Sequence, residues 1–392
     1  MVESRLYNYK LVFLSCSLVT IMMSSCNTGT ESVNNCDFQP GNRNFAWQVD
    51  TVGWWPSEVG GVWAFSDDDA YVMGSIFQYD EEGEFIGYLG LHWDGIRWSP
   101  DEVPISEIKH NSVDVTGDSF YMVSVGFWDK SDEKVGLAEF NNQTKAWKGT
   151  QFERKGALRG VWTDQDGFFL AVGDSGMIYT KDGYDSEWLY SKAPSEFNLT
   201  DVDGVSRNEI YIRGFLSVPG EPNYNQLWKY DGKEWYKLYD NQDTTGIYLQ
   251  LGDALDPLNS GVGDVDSYRC AATDSLYLYL ISNESFLITS EGQSLSYSAT
   301  NLSALGLPLR QNNRTGLGID LFNPNDIWIY GTRFNFYHWD GLSFQRMNIP
   351  GIPNDDVQFG QQRKMIKTSN GKIFFPTEVN SQVYVVVQGV SN

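Results

Sequence analysis

Cationic residues are scarce in this sequence: 28 Lys and Arg among 392 residues, against 51 Asp and Glu, for a formal net charge of −23. That balance excludes nucleic acid as a partner, because displacing counterions from phosphates requires clustered Lys and Arg. It also disfavours direct adsorption to anionic lipid. With only three His and four Cys, there is little material for a zinc or thiol enzyme. No G-x-S-x-G, H-E-x-x-H, C-x-x-C or phosphate-loop pattern occurs. No apolar run reaches the roughly eighteen residues of a spanning helix. Aromatics, in contrast, are plentiful: 14 Trp, 22 Tyr and 22 Phe in a chain that is 41% hydrophobic. Such a chain buries enough apolar surface to fold, and nothing in it calls for a cofactor or a metal.

The first 25 residues stand apart. Arg5 and Lys10 precede an apolar run from Leu11 to Met23, which ends in Met23-Ser24-Ser25-Cys26. The run is too short for a permanent membrane span and reads as a signal peptide over residues 1–25. The last four residues resemble the lipobox of bacterial lipoproteins. That resemblance implies lipidation of Cys26, export, and a lipid anchor at the outer membrane or cell surface as the only membrane attachment. Residues 26–44, rich in Asn, Thr, Ser and Gly, read as a flexible tether. The folded domain is then 45–392. Cys36 and Cys270 could form a disulfide in an oxidising compartment or remain two thiols, and their spacing does not choose between these.

The domain has an internal period. Gly61-Val62-Trp63 leads through the acidic turn Asp67-Asp68-Asp69 to Tyr71-Val72-Met73-Gly74, then to Tyr88 through Trp93, Asp94-Gly95 and Trp98. The same order returns after Gly160, Asp201 and Ile319, with Asp182-Gly183, Asp231-Gly232 and Asp340-Gly341 as the later turns. Asp-Gly between short apolar runs predicts hairpins with type I′ turns. Second strands marked by Gly74, Ser124, Gly173, Gly214, Leu280, Gly331 and Pro376 recur at steps of 41 to 66 residues. Short strands at such a period predict an all-β, seven-bladed β-propeller with four antiparallel strands per blade. The segment Phe45-Ala46-Trp47-Gln48-Val49 is expected to close the last blade as an N-terminal strand, since an open ring would leave bare sheet edges.

Val172 through Gly183, followed by Trp188, resembles a blade of the sialidase-type (BNR-repeat) and photosystem II assembly-factor-like propellers. The match spans about thirty residues. It implies a propeller fold and hardly bears on function.

Chemistry is thin. His92 and His338 share one slot of the repeat with Lys229, which marks a structural position. His110 has no partner at motif spacing, so no catalytic residue is assigned. Arg159, Arg213, Arg269 and Arg333 fall near inner-strand ends, where a glycosidase would grip a substrate carboxylate. Asp201 with Asp203, Asp264 with Asp266, Asp67 to Asp69 and the cluster at Asp80 read as solvated turn acids rather than calcium ligands. Length variation concentrates in the second-to-third-strand loops and the blade connections, all on one face of the disc. The candidate ligand-binding residues on that face are Phe77, Tyr79, Asp80, Phe127, Trp128, Asp129, Arg213, Phe215, Tyr224 and Arg333. The reading is a monomeric, lipid-anchored envelope propeller that binds a glycan or an envelope protein. A propeller-type glycoside hydrolase or lyase and an assembly scaffold without a small ligand are the alternatives.

Overall fold

In the computed structural model, the described residues are 38, 40–101, 103, 111–127, 134–216, 224–240, 262–270, 275–282, 286–292, 297–301, 317–331, 336–352, 357–358, 364–379 and 383–391. Cys26, Cys36, Trp128, Asp129 and Arg333 lie outside them, as does His110. No helix among the described residues is long and apolar enough to cross a membrane.

Six four-stranded antiparallel sheets follow one another along the chain. The first blade comprises Glu58–Ser66, Asp69–Tyr79, Phe85–Trp93 and Trp98–Pro100. The second has Asn111–Gly117, Tyr121–Phe127, Lys134–Asn141 and Ala146–Lys155. The third has Leu158–Thr163, Phe168–Gly173, Met177–Asp182 and Leu189–Lys192. Blade four runs Asn198–Ser206, Glu209–Leu216, Tyr224–Tyr230 and Trp235–Asp240; blade five Val262–Cys270, Ser275–Ser282, Phe286–Gly292 and Tyr297–Asn301. Blade six has Leu317–Asn323, Asp326–Gly331, Tyr337–Trp339 and Phe344–Arg346. The first strand of each is innermost, and successive inner strands pack side by side around the ring.

The seven blades expected from the sequence are not found, and the propeller has six. Six blades have four strands, and a sheet of different build joins the two ends of the chain. In that closing sheet Ile373–Val379 is paired on one side by two fragments, Val357–Gln358 and Ile366–Lys367, and on the other by Val383–Ser391. The N-terminal strand Phe45–Trp54 pairs antiparallel with Val383–Ser391, from Phe45 opposite Ser391 to Trp54 opposite Val383. Its alternate side chains explain why it docks there. Phe45, Trp47 and Val49 pack into the apolar layer against blade six, where Phe45 meets Trp328 at 5.7 Å and Trp47 meets Phe336 at 6.4 Å. The other face of the closing sheet shares a core with blade one through Phe374, Val386 and Leu91. Comparable layers lie between blades one and two, two and three, and three and four.

The Asp-Gly turns take a different form from the predicted type I′ pair. Trp93 pairs with Trp98, Tyr230 with Trp235 and Trp339 with Phe344, so each loop has four residues. Only the Gly takes positive φ, near +88° at Gly95, Gly232 and Gly341. The Asp carboxylate does the rest: Asp94 Oδ1 accepts the Ile96 and Arg97 N–H groups at 2.9 Å, as Asp231 does those of Lys233 and Glu234, and Asp340 those of Leu342 and Ser343. The flanking aromatics then meet at 5.1–5.5 Å in all three loops.

The shared slot is a set of ion pairs between strands and between sheets. His92 lies opposite Tyr71, Lys229 opposite Tyr211 and His338 opposite Trp328. His92 meets Asp69 at 2.9 Å, His338 meets Asp326 at 2.8 Å, and Lys229 pairs with Glu209. A cation from the next sheet joins two of them, Lys145 on Asp69 and Lys367 on Asp326. The acidic turn of blade one is therefore not merely solvated. Asp69 is half-buried in this pairing, and Asp67 accepts from Thr368 Oγ1 at 2.5 Å and from Lys372 Nζ, through its carbonyl, at 2.8 Å.

Candidate functional site

The face bearing the blade connections and the second-to-third-strand loops carries an aromatic patch at blade one. Strand Asp69–Tyr79 shifts register between Met73 and Ile76, and the bulge re-aims its last residues. Beyond it Ile76, Phe77, Gln78 and Tyr79 pair with Tyr88, Gly87, Ile86 and Phe85. The two-residue period of a strand then places Phe77 and Tyr79 on one side. Phe77 stacks on Phe85 at 5.0 Å and 11°, and Tyr79 meets Phe85 at 5.1 Å. Asp80 closes the hairpin: its Oδ1 accepts the Glu84 N–H at 2.7 Å, while its own N–H donates to the Glu84 carbonyl at 2.9 Å. Gly83, at φ +83° on the open tip, supplies the left-handed residue.

Beside this hairpin runs the connection Trp54-Trp55-Pro56-Ser57, with a cis Trp55–Pro56 bond. Ser57 fastens the two together. Its Oγ donates to the Trp54 carbonyl at 2.5 Å and accepts the Phe77 N–H at 2.9 Å, while Gln78 Nε2 donates to the Val52 carbonyl at 2.9 Å. Trp54 packs edge-on against Tyr79 at 6.3 Å. Trp54, Trp55, Tyr79, Phe85 and Ile86 are all exposed, Trp55 at 67% and Tyr79 at 60%. Trp54, Tyr79 and Phe85 are joined by ring contacts into one exposed aromatic surface that Trp55 follows in the chain, with Ile86 on the other side of the hairpin, whereas the other exposed large hydrophobics, such as Ile96, Leu189 and Leu342, sit on separate elements. Contiguous exposed apolar surface of this kind marks interaction sites.

The residues expected on this face fall in two places. Phe77, Tyr79 and Asp80 come together at blade one. Arg213, Phe215 and Tyr224 lie on adjacent strands of blade four, with blades two and three between the groups. Phe127 ends the second strand of blade two. Trp54, Trp55 and Ile86 escaped the sequence reading. The signal for Trp55 was present, since a Trp before Pro in a blade connection has no core strand to serve, whereas Trp54 ends the strand Phe45–Trp54.

Of the four arginines, Arg159 and Arg213 are described with their side chains, Arg269 by its strand position alone. Arg159 Nε donates to Asp174 Oδ1 at 2.6 Å. Arg159 and Arg213 lie toward the loop-rich face, whereas Arg269, one residue from the end of its inner strand, lies toward the opposite one.

A second cluster lines the central channel. Asp114, Asp201 and Asp320 sit on the inner strands of blades two, four and six, and all three are buried rather than in solvated turns. Asp264 holds the equivalent position after the same bulge in blade five. Asp114 Oδ2 accepts the Val161 N–H of the next inner strand at 2.9 Å, and Asp320 Oδ2 accepts the Met365 N–H of the closing sheet at 2.9 Å. Lys364 reaches across the channel, its Nζ 3.2 Å from the Val202 carbonyl and 3.9 Å from Asp201 Oδ1. Burial pushes Asp114 up to about 6 despite Lys364 and the Val161 N–H. It pushes Asp320 up to about 7 despite the Met365 N–H, with Asp114 adding repulsion. Among the described residues no group of three or more His, Cys, Asp or Glu is arranged to hold a metal ion.

No protein-family model matches the chain, and no curated protein matches it. Among solved structures, YCF48 bound to D1 peptide superposes with a TM-score of 0.57 at 14% identity, over 91% of this chain and 98% of that one. YCF48 from Cyanidioschyzon merolae gives 0.56 at 11% identity, over 88% and 99%. At such identities the likeness is one of fold: this chain is a β-propeller resembling the photosystem II assembly factor YCF48.

Proposed function

We propose that this protein is an exported, lipid-anchored propeller scaffold of a bacterial cell envelope that docks a partner protein on its loop-rich face. The observation that carries the reading is the blade-one patch, with Trp54, Trp55, Tyr79 and Phe85 exposed on backbone tied down by Ser57. Rigid exposed aromatics lose little entropy on binding and are the usual anchors of protein interfaces. A propeller of the same fold has been seen holding a peptide. The structural pairing of His92 with Asp69 and of His338 with Asp326 supports a scaffold over a glycoside hydrolase or lyase. A glycan is the second reading, favoured by the flat, highly exposed ring of Trp55.

Two experiments test this. Trp55→Ala combined with Tyr79→Ala is expected to weaken capture of the partner from detergent-solubilised envelope by about ten-fold or more, as loss of interface anchors does. Capture unchanged by the double substitution would move docking away from blade one. Cys26→Ser is expected to shift the protein from the membrane pellet to the soluble fraction, because acyl chains supply the attachment. A variant that still sediments with membranes would refute the lipid anchor.

A further inference from the structure

The patch lies in a stretch of unusual charge. Between Asn44 and Ile96 the sequence holds ten acids and no Lys or Arg. Arg43, just before it, is engaged by Asp340 of blade six at 2.9 Å. Some of the ten acids have partners within the fold: Asp69 pairs with His92 and Lys145, and Asp67 with Thr368. At the tip of the patch hairpin Glu81, Glu82 and Glu84 are exposed, and none forms an ion pair with another described residue. The exposed rings of Tyr79 and Phe85 flank this acidic tip in the chain.

We infer that the occupant of the blade-one patch is a protein segment in which Lys or Arg side chains flank apolar ones. The inference rests on the docking reading above and supplies its chemistry. Apolar side chains of the segment would cover Trp54, Tyr79 and Phe85, while its cations would face Glu81, Glu82 and Glu84 and the open face of Trp55. An acidic segment, an anionic glycan or an anionic lipid would be repelled by the same three carboxylates. A neutral glycan would gain nothing from them.

Two synthetic peptides with one shared apolar core, flanked by Lys in one and by Glu in the other, provide the probe. They are titrated by calorimetry into full-length protein at low and at high salt. The Lys-flanked peptide is expected to bind at least about ten-fold more tightly than its Glu-flanked counterpart, with affinity falling as salt rises. Trp55→Ala should abolish binding. The triple change Glu81→Gln, Glu82→Gln and Glu84→Gln should erase the preference while leaving the fold intact, since all three side chains are exposed. Equal binding of both peptides, or a Lys preference that survives the triple change, overturns the inference. If neither peptide binds while partner capture still depends on Trp55 and Tyr79, the charge inference fails and the docking reading stands. If a neutral oligosaccharide binds in place of either peptide, both fail.

Discussion

Replacing Lys181 by Met is expected to destabilise the folded protein by about 3–5 kcal/mol, the range for stripping one partner from a buried ion pair. Lys181 belongs to blade three and reaches Glu139 of blade two, Nζ to Oε1 at 2.7 Å, with the two side chains 1% and 0% exposed. Tyr121 donates its hydroxyl to the same carboxylate at 2.7 Å, and Thr150 donates to the other oxygen at 3.0 Å. Burial by itself would push Glu139 up. The bonds from Lys181 and Tyr121 outweigh it and hold the group below the usual carboxylate range. Without Lys181 the other cation near Glu139 among the described residues is the exposed Lys148 ammonium at 3.9 Å. Denaturant unfolding of Lys181→Met, Glu139→Leu and the double variant would read the coupling. Most of the loss should be recovered in the double variant, because two apolar side chains replace the pair without leaving a charge behind. A double variant as unstable as the single one would mean that the pair acts through shape rather than charge.

Mild acid is expected to stabilise this protein. Asp114 and Asp320 titrate near 6 and near 7 in the folded state, above the ordinary value of 3.8 that they recover on unfolding. The folded state therefore binds protons more tightly across that window. Stability is greatest below the unfolded value and is lost as pH rises through the folded ones, by on the order of 1–3 kcal/mol per group between pH 5 and pH 8. Asp69, Asp326 and Glu139 work in the opposite sense. Their folded-state values are lowered, so their contribution is present above the unfolded value and is lost only as pH falls below about 4. The optimum should thus lie near pH 5. Lys364→Met removes the cation facing Asp114, Asp201 and Asp320, and should steepen the loss toward pH 8 while costing little at pH 5. Unfolding midpoints that rise steadily from pH 5 to pH 8 would contradict this account of the channel.

Much of the fold was legible because propeller grammar is local. The order of acidic turn, second strand, aromatic, Asp-Gly and aromatic is encoded within single repeats, four times along the chain. Six of the second-strand markers, Gly74 to Gly331, lie in strands paired with the inner strand of a blade, and Pro376 falls in the closing sheet. The equivalence of His92, Lys229 and His338 was readable for the same reason, since repeats place like residues on like neighbours. The turn geometry was not, because Asp-Gly is compatible with a two-residue loop as well as with the four-residue loop that the Asp94 carboxylate stabilises.

Half of the patch was visible in advance. Phe77, Tyr79 and Phe85 belong to one irregular loop, and length alone set that loop apart. Trp54 and Trp55 precede it by more than twenty residues and join it through Ser57, the Gln78 bond to the Val52 carbonyl and the packing of Trp54 on Tyr79. Asp201 was expected in a solvated turn and is buried, because an Asp in a strand looks the same in sequence whether it meets water or the interior of the ring.

Composition, period and turn residues are short-range properties, and from them the sequence alone determined an aromatic-rich, acidic, all-β ring of four-stranded sheets. Tertiary structure decided what depends on closure. Docking of Phe45–Trp54 on Val383–Ser391 set the build of the last sheet and brought the Trp54-Trp55 connection beside blade one. It also turned the scattered Asp114, Asp201 and Asp320 into one electrostatic unit around Lys364. Contacts across hundreds of residues exist only once the ring is shut, and no local pattern records them.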